Sequence, residues 1–97
     1  MRAVRVVVLL AGVLRPSADG KSRLEVDFAA GATLGAVLDR LAERYPALDR
    51  RLRDEHGGLR RYVNFYVDGE ECRRLDGAET PVGPGVEIQI IPSVAGG

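Results

Sequence analysis

Much of the usual equipment of small-protein chemistry is missing from this chain. Its 97 residues include one cysteine, one histidine and no tryptophan. The lone cysteine, Cys72, excludes an intramolecular disulfide and any cysteine-built zinc cage, and is compatible with a reducing compartment. The only histidine, His56, lies in a polar segment, and nothing around Cys72 suggests an activated thiolate, so Cys72 reads as a packed or half-exposed small side chain. Charge of one sign is also lacking. Fourteen basic residues balance fourteen acidic ones, which gives no reason to expect nucleic acid or an anionic membrane as partner. No apolar run approaches the roughly 20 residues needed to span a bilayer. Met1 and Arg2 followed by Val6 to Leu14 superficially resemble a signal peptide. Arg5 breaks that run, both regions are short, and a cut near Ala18 would remove what reads as a central strand, so the expectation is a cytoplasmic chain unprocessed at this end.

Arginine is abundant where lysine is not: Lys21 is the only lysine, and arginines cluster at 50, 51 and 53, at 60 and 61, and at 73 and 74. No aromatic platform is interleaved with them as in single-strand binders, so they read as solvated faces, with docking onto an acidic partner as the other use of such clusters. The carboxylates sit singly in turns or on polar faces. Gly83-Pro84-Gly85 has neither the length nor the following helix of a phosphate-binding loop. No catalytic or metal-ligating constellation is expected.

The sequence does have two glycines, Gly96 and Gly97, at its carboxyl end. A terminal carboxylate, with a pKa of about 3.5, is ionised in the cell and must be activated, for instance as an acyl-adenylate, before its carbon can be attacked. Glycines suit that chemistry, because without Cβ the backbone can thread a narrow channel and approach a nucleotide closely. A merely mobile end is the plain alternative for such a dipeptide.

The preceding residues read as one domain, with 1–92 folded and 93–97 a flexible tail. Val4 to Leu10 alternates but is apolar on both faces, the mark of a central strand. A polar connection through Pro16 and Gly20 leads to a second strand, Ser22 to Phe28, forming a hairpin with a loose loop. Thr33 stands where an N-cap is expected. Leu34, Val37, Leu38, Leu41, Ala42 and Tyr45 follow at helical spacing, with Asp39, Arg40, Glu43 and Arg44 opposite at intervals that allow i,i+4 pairing. A shorter helical piece carries Leu48 and Leu52. Tyr62 to Val67 alternates again, Asp68-Gly69 supplies a turn, and Glu70 to Arg74 can return as a strand. Residues 75–82 read as turn chemistry with one or two apolar anchors. The last strand, Val86 to Ile91, is expected to stop at Pro92, which has no N–H to donate. Hairpin, helix, then more strands is an α+β order, that of the ubiquitin-like β-grasp: a mixed four- to five-stranded sheet, one main helix on one face, first and last strands central.

Several segments resemble the bacterial sulfur carriers typified by the small subunit of molybdopterin synthase and the thiamine sulfur carrier. They are Val63-Asn64, Asp68-Gly69, Gly83 to Val86, and Ile90-Ile91-Pro92-Ser93-Val94-Ala95-Gly96-Gly97, within a likeness that covers essentially the whole chain. Leu14-Arg15-Pro16, the Tyr62 to Tyr66 strand and the Pro-Ser-Val-Ala-Gly-Gly ending are most similar to the actinobacterial branch that feeds a cysteine synthase. The resemblance implies that an E1-like activating enzyme adenylates Gly97 with ATP and Mg, and that a sulfur donor then converts it to a thiocarboxylate. Val94, Ala95 and Gly96 would thread into the partner. The sulfur would pass to a pyridoxal phosphate-dependent cysteine synthase, with a zinc metallopeptidase releasing the product, to the large subunit of a molybdopterin synthase, or into another thiolated metabolite. No cofactor would bind this chain itself. A ubiquitin-like modifier joined to lysines uses the same activated end and stays open, as does a passive interaction module.

If the even positions of the first strand face the helix, Val7 and Leu9 point the other way and should share an open face with Tyr66 and Ile91. Such a patch suits partner docking, and the resemblance implies docking of the activating enzyme on that face. Central-strand residues partly covered by loops are the alternative.

Overall fold

The alternating segments form strands at Val4–Leu10 (β1) and Arg23–Phe28 (β2), with a two-residue strand at Ala32–Thr33 (β3) before the helices Leu34–Arg44 (α1) and Pro46–Leu52 (α2). Strands Val63–Val67 (β4), Glu70–Glu71 (β5), Pro81–Val82 (β6) and Glu87–Pro92 (β7) complete the order. This is a computed structural model, and it describes residues 4–29 and 31–93.

The two most apolar strands meet at the centre. The five-stranded sheet has the order β2-β1-β7-β4-β5, with β1 and β7 parallel and the other neighbours antiparallel, as expected for a β-grasp. Register puts Val8 between Leu24 and Ile88, and Ile90 between Leu10 and Phe65, so alternate residues of four strands form one apolar layer. Leu34, Val37, Leu38 and Leu41 of α1 and Leu48 and Leu52 of α2 are buried in the same core. Each such side chain gives up water for dispersion contacts, contributing roughly 1.5–3 kcal/mol.

Local chemistry sets the boundaries. The Thr33 hydroxyl accepts from the Ala36 N–H at 3.1 Å, capping α1. Pro46 stands at the start of α2, where a missing N–H leaves no bond unmade. Asp68 and Gly69 both have positive φ, 48° and 87°, between the paired residues Val67 and Glu70, the signature of a tight two-residue hairpin turn.

Four expectations need correction. The connection after β1 is no loose loop: Gly12–Ala18 forms a 3-10 helix that buries Leu14 and Ala18 and packs beside α2. The return strand lasts only two residues, because the Glu71 side chain accepts from the Arg73 N–H at 2.9 Å and turns Cys72–Arg74 into a 3-10 turn with Cys72 inside. Residues 80–82 hold more than anchors. Val82 pairs with Ala32, and the buried Thr80 hydroxyl donates to the Gly77 carbonyl at 2.7 Å while accepting from the Asp76 N–H at 3.1 Å. The last strand extends through Pro92, opposite Val63.

The polar face of α1 also behaves differently from its spacing. Its charges reach out of the helix: Arg40 and Arg44 donate to the Asp27 and Glu25 carbonyls at 2.9 and 3.3 Å, and Asp39 pairs with Arg53 at 2.8 Å. β2 is an edge strand, and unpaired edge carbonyls invite pairing with another chain. Two arginines cover them, while Arg40 also lies 4.8 Å from the centre of the Phe28 ring.

Candidate functional site

The face of the sheet turned away from the helices follows from strand parity. Val7 and Leu9 of β1, Gln89 and Ile91 of β7, and Tyr66 of β4 all belong to it, because directly paired residues point the same way. All four residues expected on this face are on it. They do not form one continuous patch. Gln89 stands between Leu9 and Tyr66, while Val7 lies between Glu25 and Glu87.

The face therefore divides in two. Over β1 and β2 a charged lattice forms, Arg5 to Asp27 at 2.9 Å and to Glu25 at 3.4 Å, and Arg23 to Glu25 at 3.3 Å. The Arg5 hydrogen bond holds the Asp27 carboxyl below its ordinary range. Toward the end of β7 the surface turns apolar. Leu9, Ala11 and Ile91, with Arg15 and Gln89, line an open groove of about 390 Å³, and Ile91 is 39% exposed. The Arg15 Nε donates to the Leu10 carbonyl at 3.1 Å, which ties this side chain to the rim. Sequence reasoning missed Gln89 and Arg15. Period-two counting along β7 could have found the first, whereas the second reaches the groove only because its connection folds as a 3-10 helix.

β7 is held on both sides almost to its end. The Ala11 N–H donates to the Ile90 carbonyl at 3.1 Å, and beyond Pro92 the Ser93 N–H donates to the Tyr62 carbonyl. Val94, Ala95, Gly96 and Gly97, the residues expected to thread and react, lie outside the described residues, so the expected flexible tail is largely outside them too. Covalent geometry still bounds its reach. Five residues beyond Pro92 span at most about 17 Å. Any enzyme acting on Gly97 must hold the domain near the end of β7.

Other reactive side chains are in quiet surroundings. Cys72 is buried, and burial, followed by the Glu71 charge, pushes its thiol up to about 11, so almost none is thiolate near neutrality. Burial opposes ionisation of Glu71, but N–H donors from Arg73 and Phe65 and the Arg73 guanidinium outweigh it and hold the carboxyl below its ordinary value. His56 is exposed in a turn where the Asp54 carboxylate accepts its N–H and that of Gly58, both at 2.9 Å. Among the described residues no group of three or more His, Cys, Asp or Glu side chains could hold a metal. No helix among them is long and apolar enough to cross a membrane.

Comparison with known proteins agrees with this geometry. The ThiS family profile matches residues 8–97. The sulfur carrier protein CysO of Mycobacterium tuberculosis is 38% identical over 96 residues, spanning 97% of this chain and all of the relative. The molybdopterin synthase sulfur carrier subunit of the same organism is 33% identical over 94 residues, covering 97% of this chain and 99% of that one. A chain in the crystal structure of the Amycolatopsis orientalis BexX/CysO complex superimposes with a TM-score of 0.81 at 34% identity, covering 95% of this chain and 99% of that one.

Proposed function

We propose, for a chain that belongs to the ThiS family and is a sulfur carrier, that the Gly97 carboxylate is the group that reacts. An E1-like enzyme would join that carboxylate to the α-phosphate of ATP, with Mg, releasing pyrophosphate. A sulfur nucleophile would then displace AMP and leave a thiocarboxylate on Gly97. One oxygen is exchanged for one sulfur, with no redox change at the glycine carbon.

The observation that carries the reading is the placement of β7. The strand that leads to Gly96-Gly97 is the central strand, bonded to β1 and β4, so the reactive end leaves from a rigid root and not from a loose edge. In this reading the chain is substrate and carrier, and catalysis belongs to its partners in the cytoplasm. Two outlets for the sulfur suit the relatives. A pyridoxal phosphate-dependent cysteine synthase, with a zinc metallopeptidase to release the product, fits the 38% likeness to CysO. The large subunit of a molybdopterin synthase fits the 33% likeness to the carrier subunit of that enzyme. Docking in this reading uses the outer face of the sheet, with Leu9 and Ile91 in its apolar groove, Tyr66 beyond Gln89 and Val7 among the glutamates.

The test is intact mass after incubation with the activating enzyme, ATP and a sulfide source. The parent and the Cys72→Ser variant should both gain about 16 Da, one oxygen replaced by sulfur. A chain lacking Gly97 should gain nothing. An increment that disappears with Cys72 and survives deletion of Gly97 would overturn the assignment.

A further inference from the structure

On the other side of the β7 end lies a second concavity, of about 220 Å³, with a different character. Arg50 and Arg51 of α2 and Arg60 before β4 line it, over an apolar floor of Leu14, Val63 and Pro92, with Tyr62 beside them. Of the other described arginines, Arg5, Arg23, Arg53 and Arg73 each form a salt bridge, whereas Arg15, Arg40, Arg44, Arg61 and Arg74 lie outside this cleft and form none. Among the described residues, Arg50, Arg51 and Arg60 form none.

The site is also held in place. The Arg60 Nε donates to the Arg50 carbonyl at 2.9 Å, and its own N–H donates to the Leu52 carbonyl at 3.0 Å. The Arg73 guanidinium donates to the Arg60 and Val63 carbonyls at 2.8 and 3.1 Å, fixing the segment between them. Tyr62 is nonetheless 55% exposed. Three arginines without a salt bridge, set on a fixed backbone around an apolar floor and an exposed tyrosine, have the composition of a protein-binding surface, in which arginine and tyrosine are enriched.

We propose that this cleft receives an acidic segment, rich in Asp or Glu, of the enzyme that activates Gly97. The inference rests on the sulfur-carrier reading and goes beyond it by assigning a second contact and its charge. Two arguments select this occupant. Charge complementarity requires an anionic surface. Continuity requires a partner already at the tail: Pro92 lines the cleft, its neighbour Ile91 lines the apolar groove, and Gly97 is at most about 17 Å beyond. An enzyme gripping the root of the tail meets both concavities, apolar on one side and cationic on the other. The cleft would steer encounter and orient the domain, while the apolar groove supplies the desolvated contact.

The experiment measures association of the parent, the Arg50→Glu/Arg51→Glu pair and Arg60→Gln with the purified activating enzyme, by stopped flow at low and high salt. Circular dichroism establishes that each variant is folded. At about 0.1 M salt the paired reversal should slow association by about tenfold and Arg60→Gln by about twofold to threefold. At about 1 M salt, where screening acts within a few ångströms, the differences should nearly vanish. Equal rates for folded parent and variants at low salt, with the parent still gaining mass at Gly97, would overturn the cleft assignment and leave the carrier reading intact. A parent that gains no mass there removes both. Titration with inorganic phosphate, followed through the amide signals of Arg51 and Tyr62, distinguishes a small-anion site. Saturable phosphate binding combined with association that ignores the arginines would also overturn the proposal.

Discussion

The two faces of the central strands are made from alternate residues of the same segments, yet they differ sharply in composition. Toward the helices, Val6, Val8, Phe65, Ile88 and Ile90 are fully buried, and every one is apolar. On the opposite face the same strands carry Arg5, Val7, Leu9, Tyr66, Glu87, Gln89 and Ile91, a mixture that no core would tolerate. Parity thus separates the folding face from the face proposed for recognition. Within the outer face a second division appears along the strands: charged over β2, apolar where β7 ends. The apolar part lies at the end of β7, the strand that leads toward the proposed reactive glycine.

The comparison breaks most sharply under truncation of the inner face. Leu38→Ala or Ile88→Ala should lower stability by about 2–5 kcal/mol in urea unfolding, since both side chains are fully enclosed. Ile91→Glu or Leu9→Glu on the outer face should leave the fold near parental stability and weaken binding of the activating enzyme by tenfold or more. A carboxylate there loses water in the complex without gaining a partner. Equal binding by the folded Ile91→Glu variant would take the groove out of the interface.

A smaller effect belongs to Glu71, which closes the sheet beside β4. Glu71→Gln loses the charged acceptor for two backbone N–H groups and Arg73, and should cost about 1–2 kcal/mol at neutral pH. Because the folded state lowers this carboxyl below its ordinary 4.5, its contribution is present above that value and is lost as pH falls through the folded value. The variant should therefore show a shallower loss of stability in acid. Cys72 has the opposite sign. Raised from 9.0 to about 11, it favours the folded state below pH 9 and withdraws that support as pH climbs toward 11. Cys72→Ala should flatten the alkaline limb of stability against pH, and native Cys72 should resist maleimide at neutral pH.

Much of this division is legible in the amino-acid sequence. The double-sided apolar pattern of Val4 to Leu10 marks a central strand, Thr33 a helix start and Asp68-Gly69 a hairpin, and parity alone puts Val7, Leu9, Tyr66 and Ile91 on one face. What is not legible depends on tertiary contact. The connection after β1 reads as loop from Pro16, Ser17, Asp19 and Gly20, yet Gly12–Ala18 becomes a 3-10 helix because Leu14 and Ala18 have a core to enter. Strands β3 and β6 have two residues each, too few for a period to register. Period two alone puts Gln89 on the outer face, but register, which sequence pattern does not specify across strands, sets it between Leu9 and Tyr66. The cationic cleft joins Arg50 and Arg51 to Arg60, residues that look like separate solvated clusters until the chain folds back.

The central claim, that the chemistry happens at Gly97 and that the rest of the chain presents it, has a direct measurement. Trypsin cutting after Arg74 releases residues 75–97, a peptide with no internal lysine or arginine that contains Gly97 and excludes Cys72. After reaction with activating enzyme, ATP and sulfide, this peptide should carry the whole gain of about 16 Da, and fragmentation should place it on the last glycine. An unchanged 75–97 peptide, with added sulfur on the fragment containing Cys72, would contradict the account.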